Sequence, residues 1–297
     1  MLEYILKKVD VMILTNSQIQ TWLSCRRYYK FEYVDLLKSV EESPALRIGS
    51  AVHYALHYHY LGKDDGVTRF YDSIEHFTTP DIDSIETERC LVNNIMNGYR
   101  NYYADEKIEV LETEQVIKTN IASDTWFAGK IDMIAEIEGN KWLFEHKTTS
   151  NLENGYFDKL ALDSQITGYL YLTTQKYPDI RGVVYNVLRK PSIRQKQNET
   201  IEEFYQRMKQ DYLARPEFYF QRREVVRNDK ELAEFPEYVK NIANEIRWNR
   251  GFFPRNPSQC NLYGSCTFRS LCIEYSPELA NTYAKKTSLH EELDAEF

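Results

Sequence analysis

The stretch that most constrains the fold spans residues 126–149 and reads WFAGKIDMIAEIEGNKWLFEHKTT. On both sides of Gly139-Asn140, β-branched and aromatic residues alternate with small or polar ones. This pattern predicts two short strands joined by a tight turn. If Gly139-Asn140 forms the loop, Glu138 pairs with Lys141, and that pair sets the register of the whole hairpin.

In this register Asp132 lies opposite Lys147, and Glu145 lies on the diagonal from Asp132. Residues opposite each other share a face of the sheet, as do residues two apart on one strand, so Asp132, Glu145 and Lys147 are expected to project together. The neighbouring residues are apolar on both faces, which favours burial. Buried carboxylates are unfavourable unless they are paired or bind a metal, and their hard oxygen atoms suit Mg²⁺ or Mn²⁺. A salt-bridged, exposed sheet face stays open as the alternative.

Composition narrows the class of protein. The chain has 297 residues and a net charge of −8, which argues against a generally basic, nucleic-acid-coating surface but permits a local basic groove. No stretch is apolar enough to span a membrane and no signal peptide is evident, so a cytoplasmic protein is expected. Met1 and Met12 both stay open as the native start. Five cysteines make a purely disulfide framework unexpected in that compartment.

The order of predicted elements indicates one α/β domain over residues 1–285 with a mixed sheet covered by helices. Within it we expect N-terminal helices over 13–60, a sheet core over 108–227 and a cysteine-bearing segment over 253–275. Residues 286–297 are predicted to form a flexible tail. The individual elements are helices over 46–61, 86–104, 158–175, 199–213 and 229–249, and strands over 108–119, 182–191 and 218–227.

Several polar residues outside the hairpin stand in suggestive positions. Gly49 and His53 lie one turn apart on a helix, and so do Gln165 and Tyr169. Glu114, on the strand before the hairpin, could reach the same site, although an exposed strand carboxylate is the favoured interpretation. Each feature taken alone is common in ordinary helices and strands.

Three cysteines, Cys260, Cys266 and Cys272, fall in a loop-like segment with five residues between each pair. This arrangement favours metal binding over packing. Three thiolates do not complete a tetrahedral zinc site or an iron–sulfur cluster, so a fourth ligand is needed, and Cys25 is the natural candidate. The spacing alone does not choose between zinc and iron–sulfur. Cys90 is interpreted as a core thiol.

Taken together, these motifs resemble the RecB-like branch of the PD-(D/E)XK nuclease superfamily. Within that branch the chain is most similar to enzymes with an iron–sulfur staple: the AddB nuclease domain, the Dna-two-type nuclease, and the Cas-four CRISPR-associated nucleases with their phage relatives. The motifs that carry the resemblance, in order, are Gly49 and His53, Gly129 and Asp132, Glu145 and Lys147, Gln165 and Tyr169, and the cysteines. One departure is that five residues, instead of the usual two, separate Cys260 from Cys266.

The resemblance implies a restriction-endonuclease-like core and a set of roles. His53, Asp132, Glu145 and the backbone carbonyl of His146 would bind Mg²⁺ or Mn²⁺. Lys147 would position or activate the attacking water, and Gln165 and Tyr169 would steady the substrate and the active site. A 4Fe–4S cluster would join the N- and C-terminal segments through the four cysteines, Cys25, Cys260, Cys266 and Cys272.

The implied activity is a metal-dependent DNA exonuclease in recombination, end resection or repair, plausibly phage-encoded. A recombinase, an annealing protein or a helicase could act with it in trans. Arg189, Lys190 and either Arg222 or Arg223 are expected along the DNA strand. The alternatives are a CRISPR-adaptation nuclease that trims spacer precursors, a non-cutting DNA-end-binding module of the same fold, and a zinc-stabilised interaction protein with a structural hairpin.

Overall fold

A computed structural model describes residues 11–40, 42–74, 82–153, 155–262 and 264–294. Among these residues the strands are β1 (Met12–Leu14), β2 (Leu37–Lys38), β3 (Glu109–Ala122), β4 (Thr125–Ile137), β5 (Asn140–Thr149), β6 (Val183–Arg189), β7 (Phe220–Val225) and β8 (Ala284–Lys285). The α-helices are α1 (Asn16–Ser24), α2 (Arg26–Tyr29), α3 (Pro44–Tyr60), α4 (Gly66–Ile74), α5 (Ile82–Tyr102), α6 (Ser164–Thr174), α7 (Ile201–Ala214), α8 (Pro216–Tyr219), α9 (Asp229–Trp248), α10 (Arg269–Ile273), α11 (Pro277–Ala280) and α12 (Glu291–Asp294).

The predicted mixed sheet is confirmed. Five of its six strands follow the order β1-β4-β5-β6-β7, and the sixth, β3, pairs with the other edge of β4. β4 is antiparallel to both β3 and β5, whereas β5 and β6 run parallel. β1, which the sequence did not indicate as a strand, adds a short parallel pairing at the start of β4.

Helices cover both faces of this sheet. Val187 and Leu188 are neighbours on β6, and alternation sends their side chains to opposite faces. Leu188 packs with the apolar residues of α3, α5 and α7. Val187 packs on the other side with residues of α6, such as Leu170. The predicted α/β architecture, a central mixed sheet flanked by helices, is therefore observed.

The hairpin register differs from the prediction by two residues. Ile137 pairs with Asn140, so the two-residue loop is Glu138-Gly139. Both loop residues have positive φ, 51° and 75°, which is the requirement of a type I′ turn. In the predicted loop Gly139 is the first residue, whereas in the observed loop it is the second. A shift by an even number of residues leaves each side chain on its predicted face.

Two helices that carry predicted site residues have well-defined starts. Ser43 caps α3, its hydroxyl accepting a hydrogen bond from the Leu46 amide, and Pro44 occupies the first turn. Asp163 caps α6 and accepts a 2.8 Å hydrogen bond from the Gln165 amide. These caps fix where His53 on α3 and Gln165 on α6 stand relative to the sheet.

Of the predicted flexible tail, the structure describes residues 286–294, and they lie against the domain. The Lys286 amide donates a 2.8 Å hydrogen bond to the Leu36 carbonyl, continuing the antiparallel pairing of β8 with β2. His290 is buried, and its Nε2 donates to the Ile13 carbonyl at 3.0 Å. The remaining tail residues, like residues 1–10, lie outside the described residues.

Candidate active site

The candidate site lies where β4 and β5 separate. Their ladder ends at the pair Met133–Phe144, and beyond that point β4 pairs with β1 while β5 pairs only with β6. The first residues past the separation are Asp132 on β4 and Glu145 on β5. Their two carboxylates therefore stand side by side at a gap in the sheet, in a place where backbone pairing no longer fills the space.

Asp132 is held from two directions. Its Oδ1 lies 3.2 Å from Nδ1 of His53, and its Oδ2 accepts a 2.6 Å hydrogen bond from the His146 amide. Burial alone would raise the pKa of Asp132, but the charge and hydrogen bond of His53 outweigh it and lower that pKa. For His53 burial likewise opposes the charged form, and Asp132 raises its pKa to about 9.

Glu145 and Lys147 form an ion pair on the same strand, as the alternation predicted. The Lys147 ammonium also donates to Oε1 of Gln165 on α6 at 3.3 Å. Burial, together with the charge of Asp132, raises the pKa of Glu145 to about 7. Burial would lower the pKa of Lys147, but the charges of Glu145 and Asp132 outweigh it and raise that pKa above its usual range.

Glu114 belongs to the site, contrary to its interpretation as an exposed strand carboxylate. Its side chain is only 8% exposed, and its Oε2 lies 3.2 Å from the Lys130 ammonium. Glu114 has φ of 54°, the left-handed region that non-glycine residues rarely adopt in the middle of a strand. His53, Glu114 and Asp132 place ligand atoms within 4.8 Å of one another. The period-two pattern of β3 gives no sign of this distortion.

Tyr169 connects α6 to the sheet below the site. It is half-buried, and burial, with the charge of Glu145, raises its pKa well above the usual range. A Cβ atom placed on Gly129 would lie 2.6 Å from the Tyr169 ring. The glycine of the predicted G-x-x-D motif is thus required for the close approach of the tyrosine. The structure therefore brings together His53, Asp132, Glu145, Lys147, Gln165 and Tyr169.

The face of β5 opposite Glu145 holds a buried polar network. Arg222 Nε can only donate, so its 3.1 Å hydrogen bond to Asn186 Oδ1 fixes the orientation of that amide. Asn186 Nδ2 then donates to His146 Nδ1 at 2.8 Å, which places the imidazole proton on Nε2. Burial lowers the pKa of His146 to about 3, so the ring is neutral. His146 offers the site its backbone, while its ring is held behind the sheet.

The basic residues that were predicted to lie along the DNA strand have different surroundings in the structure. Arg222 is not available for DNA: its side chain is 15% exposed and pairs with Glu106. Arg189 stacks on Phe218, with 4.0 Å between the guanidinium carbon and the ring centre. Lys190 lines the cleft above the site, where Lys130, Tyr54 and Phe70 also lie, and the cleft volume is about 750 Å³. Arg223 remains exposed over Phe157.

The predicted metal cluster between the N- and C-terminal segments is not supported. Cys25, Cys260 and Cys266 line a cavity of about 340 Å³, while Cys272 packs, as Cys266 does, against a small apolar cluster. The pKa of the Cys266 thiol is raised by burial and by the nearby thiols. In the part of the chain that is described, the four sulfur atoms do not gather as one ligand set, and His53, Glu114 and Asp132 are the group that does.

The two segments are joined by other contacts. Phe31 of the N-terminal segment packs with Phe268 and Leu271 of the C-terminal one, and β2 pairs with β8. These contacts join the two segments that the predicted cluster would have joined. Among the described residues, this packing and strand pairing are enough to explain how the two segments meet.

Comparison with known proteins assigns the chain to a family. Residues 13–273, which include every residue of the site, match the model of the PD-(D/E)XK nuclease superfamily. The chain belongs to this superfamily. No curated protein matches this PD-(D/E)XK chain.

Two solved structures resemble the PD-(D/E)XK chain remotely. The "Putative exonuclease" of Eubacterium rectale is 14% identical, with a TM-score of 0.49 over 96% of this chain and 93% of that chain. The protein named SSO0001 is 13% identical, with a TM-score of 0.33 over 86% of this chain and 92% of that one.

Among the described residues, no helix has both the length and the apolar character that crossing a membrane requires.

Proposed function

We propose that this protein is a divalent-metal-dependent DNA exonuclease that hydrolyses phosphodiester bonds in recombination, end resection or repair. The observation that carries the proposal is the placement of Asp132 and Glu145 at the separation of β4 and β5, with the Lys147 ammonium bound to Glu145. Membership of the PD-(D/E)XK nuclease superfamily supports the reaction class.

The residues present fit a divalent cation. Asp132 and Glu145 offer carboxylate oxygens, His53 offers an imidazole nitrogen, and the His146 carbonyl would complete the set. Glu145 is 3% exposed, and its Oε2 has no hydrogen-bond partner among the described residues. A buried carboxylate oxygen in that state is unfavourable without a cation or a donor. When bound, the cation would polarise the scissile phosphate and lower the pKa of a coordinated water.

Lys147 is suited to an electrostatic role. The neighbouring carboxylates, Glu145 and Asp132, favour its charged form, so the side chain is an ammonium at neutral pH. Gln165 holds that ammonium from α6, and Tyr169 packs one turn further along the same helix. We assign Lys147 to orienting the attacking water and stabilising the charge that develops on the phosphate. Gln165 and Tyr169 would keep the ammonium in place.

The cleft supports DNA as the substrate. Lys190 lines the cleft and can contact a phosphate, whereas the Lys130 ammonium is paired with Glu114, and Tyr54 and Phe70 offer rings to bases. Its volume is about 750 Å³, and the chain as a whole is acidic. A cleft of this size on an acidic protein suits a chain end that enters it better than a duplex that is bound along its whole length.

The test is a nuclease assay with Mg²⁺ or Mn²⁺ on linear DNA labelled at one end, with closed circular DNA alongside. The wild-type protein is compared with Lys147→Ala and with Lys118→Ala, a matched change at an exposed lysine of β3. We expect metal-dependent shortening of the linear DNA by the wild type and by Lys118→Ala, lost in Lys147→Ala, with the circle intact. The labelled end also gives the polarity.

Other outcomes of this assay would replace the proposal. Equal activity of Lys147→Ala and wild type would remove Lys147 from the chemistry. Binding of DNA ends without cleavage in either metal would favour a non-cutting end-binding module of the same fold. Cleavage of the circle would make the enzyme an endonuclease.

A further inference from the structure

Residues 284–294, which we call the strap, bring an acidic side chain to the cleft. The strap begins with β8, which pairs with β2, and continues to α12, which lies against β4. Glu292 of α12 lines the same cleft as Asp132 and Lys190. Among the described residues, it lies outside the group of ligand atoms gathered around Asp132. The strap therefore adds to the cleft a carboxylate that the proposed metal chemistry does not use.

The Glu292 carboxylate is held in place and charged. The Thr15 hydroxyl donates a 2.8 Å hydrogen bond to its Oε1, and Nδ1 of His290 lies 3.6 Å from the same oxygen. Burial would raise the pKa of Glu292, but its contacts with His290 and Thr15 outweigh burial and lower that pKa. The side chain is still 36% exposed, so it presents a negative charge to the cleft at neutral pH.

The residues just before Glu292 attach the strap to the domain. Glu291 pairs with Lys38 at 2.8 Å, and Nε2 of His290 donates to the Ile13 carbonyl at 3.0 Å. Lys38 belongs to β2 and Ile13 to β1. A DNA strand that displaced Glu292 would therefore have to break contacts with both strands.

The two sides of the cleft differ in charge. Lys190 belongs to the α3 side, where its ammonium donates to the Ala45 carbonyl at 3.1 Å. Glu292 belongs to the strap side. A phosphate is attracted by the first group and repelled by the second, and screening by salt is weaker for partly buried charges. The strap side is therefore unfavourable for the backbone of a strand that continues past it.

A strand end that carries a hydroxyl group avoids this repulsion. An ionised carboxylate can only accept hydrogen bonds, and the terminal hydroxyl of a DNA strand can donate one. A terminal phosphate has no such match, because it carries about two negative charges at neutral pH. The chemistry of Glu292 thus favours a hydroxyl-terminated end over a phosphorylated end or a continuous strand.

We propose that Glu292 is a specificity-determining residue, which admits a hydroxyl-terminated DNA end and excludes a strand that continues past the strap. The end enters along Lys190 and places its terminal hydroxyl beside Glu292. This inference rests on the proposed function, because it concerns the same cleft and gives a physical reason for the requirement for an end.

The experiment measures DNA binding to the full chain by fluorescence anisotropy, at low salt and with a chelator, so that no cleavage takes place. The probes are short single strands of one sequence, labelled on an internal base. They have hydroxyl groups at both ends, a phosphate at the 5′ end, a phosphate at the 3′ end, or no ends because they are closed into a circle.

The variants are Glu292→Gln and Glu292→Lys. Asp294→Asn is the matched control, because Asp294 is on the same helix but exposed and not part of the cleft lining. We expect the wild type and the control to bind the hydroxyl-ended probe about fivefold to tenfold more tightly than the circle and one of the phosphorylated probes. Glu292→Gln should reduce this ratio to about twofold or less, and Glu292→Lys should reverse the preference between hydroxyl and phosphate.

Equal ratios in the wild type and Glu292→Gln would overturn the role of Glu292. Tighter binding of every probe by the same factor would overturn it too, since Glu292 would then repel DNA without selecting an end. A wild type that binds none of the probes would reject it as well. Glu292→Asp keeps the charge and should keep the wild-type ratio, which separates loss of charge from a disturbed strap. Melting temperatures of all variants check the fold.

The nuclease assay keeps the two proposals distinguishable. Metal-dependent shortening of linear DNA, with the same end preference in wild type and Glu292→Gln, would reject the role of Glu292 and leave the exonuclease standing. End-selective binding that depends on Glu292, without cleavage in Mg²⁺ or Mn²⁺, would support the role of Glu292 and reject the exonuclease.

Discussion

The amide of His146 donates a 2.6 Å hydrogen bond to Oδ2 of Asp132, across the gap where β4 and β5 have already separated. The strand that carries Glu145 and Lys147 therefore also fixes the carboxylate of its neighbour. Behind the sheet, Asn186 holds the His146 ring through Nδ1 at 2.8 Å. The position of Asp132 thus depends on a polar network that never touches the cleft.

Replacing Asn186 with leucine is expected to destabilise the protein by about 1–3 kcal/mol, because His146 Nδ1 and Arg222 would each lose a buried partner. The loosened strand should also lower nuclease activity. Urea unfolding measures the first effect. Asn101→Leu, at an exposed position on α5, is the control and should stay within about 0.5 kcal/mol. An Asn186→Leu protein as stable as the control would show that the network is dispensable.

Arg222 and Arg223 are neighbours, but we expect substitution of the first to lower stability and substitution of the second to weaken DNA binding. Arg222→Met would leave the buried Asn186 amide oxygen and the half-buried Glu106 carboxylate without their partner, so we expect a loss of about 1–3 kcal/mol in the free energy of unfolding. Arg223→Met should leave stability unchanged and weaken binding to DNA at low salt if the strand passes over β7. Chemical unfolding and fluorescence anisotropy with catalytically inactive protein measure the two effects. A stable Arg222→Met protein with weakened DNA binding would restore Arg222 to the DNA path.

Much of this arrangement could be predicted from the sequence. Alternation along the hairpin places Asp132, Glu145 and Lys147 on one face, and an error of two residues in the register does not alter that result. The glycine at position 129 and the tyrosine at 169, read as separate motifs, prove to be in direct contact. Helix spacing likewise brings His53 to the site.

The rest depends on contacts that a local pattern does not contain. The left-handed turn of the backbone at Glu114 interrupts a strand whose sequence alternates regularly, so the carboxylate looked exposed. Arg222 looked available because its partner, Glu106, lies 116 positions away in the chain. The spacing of the cysteines predicts a ligand set, because a loop sequence gives no sign that Cys272 packs against aromatic residues.

Glu114, Glu145 and His53 should each make the metal-free protein less stable as pH rises between about 4.5 and 9, whereas His146, whose pKa is lowered to about 3, has the opposite effect below pH 6.5. Glu114 and Glu145 have pKa values raised to about 7, so the folded protein retains protons that the unfolded chain has released, and stability is lost between pH 4.5 and 7. The pKa of His53 is raised to about 9, so its contribution is complete below pH 6.5 and lost towards pH 9. Asp132, whose pKa is lowered, changes the stability of the folded protein only in more acidic solution.

Melting temperature against pH in chelator-treated protein measures this effect. Glu145→Gln should give a shallower slope between pH 4.5 and 7, and the exposed-site control Glu138→Gln should not. Mn²⁺ should raise the melting temperature of the wild type by several degrees at pH 8, since it binds the folded state alone. Equal slopes for Glu145→Gln and the wild type would mean that Glu145 is ionised in the fold at no cost.

Gly129→Ala and Gly49→Ala form the last contrast, because both glycines belong to predicted motifs but only one is tightly packed. A Cβ atom on residue 129 would lie 2.6 Å from the Tyr169 ring and 3.2 Å from Leu172. Either the ring or the strand must shift, so we expect a loss of about 1–3 kcal/mol and a marked fall in activity.

At Gly49 the added methyl group meets Thr148 at an ordinary 3.5 Å, and the position is inside α3. The substitution should therefore stabilise the helix by about 0.5–1 kcal/mol. Because Gly49 lines the cleft, activity on DNA should nevertheless fall, through a higher KM. Thermal unfolding and steady-state kinetics on the same preparations measure both effects. A Gly49→Ala enzyme that is more stable and fully active would mean that DNA does not pass along α3.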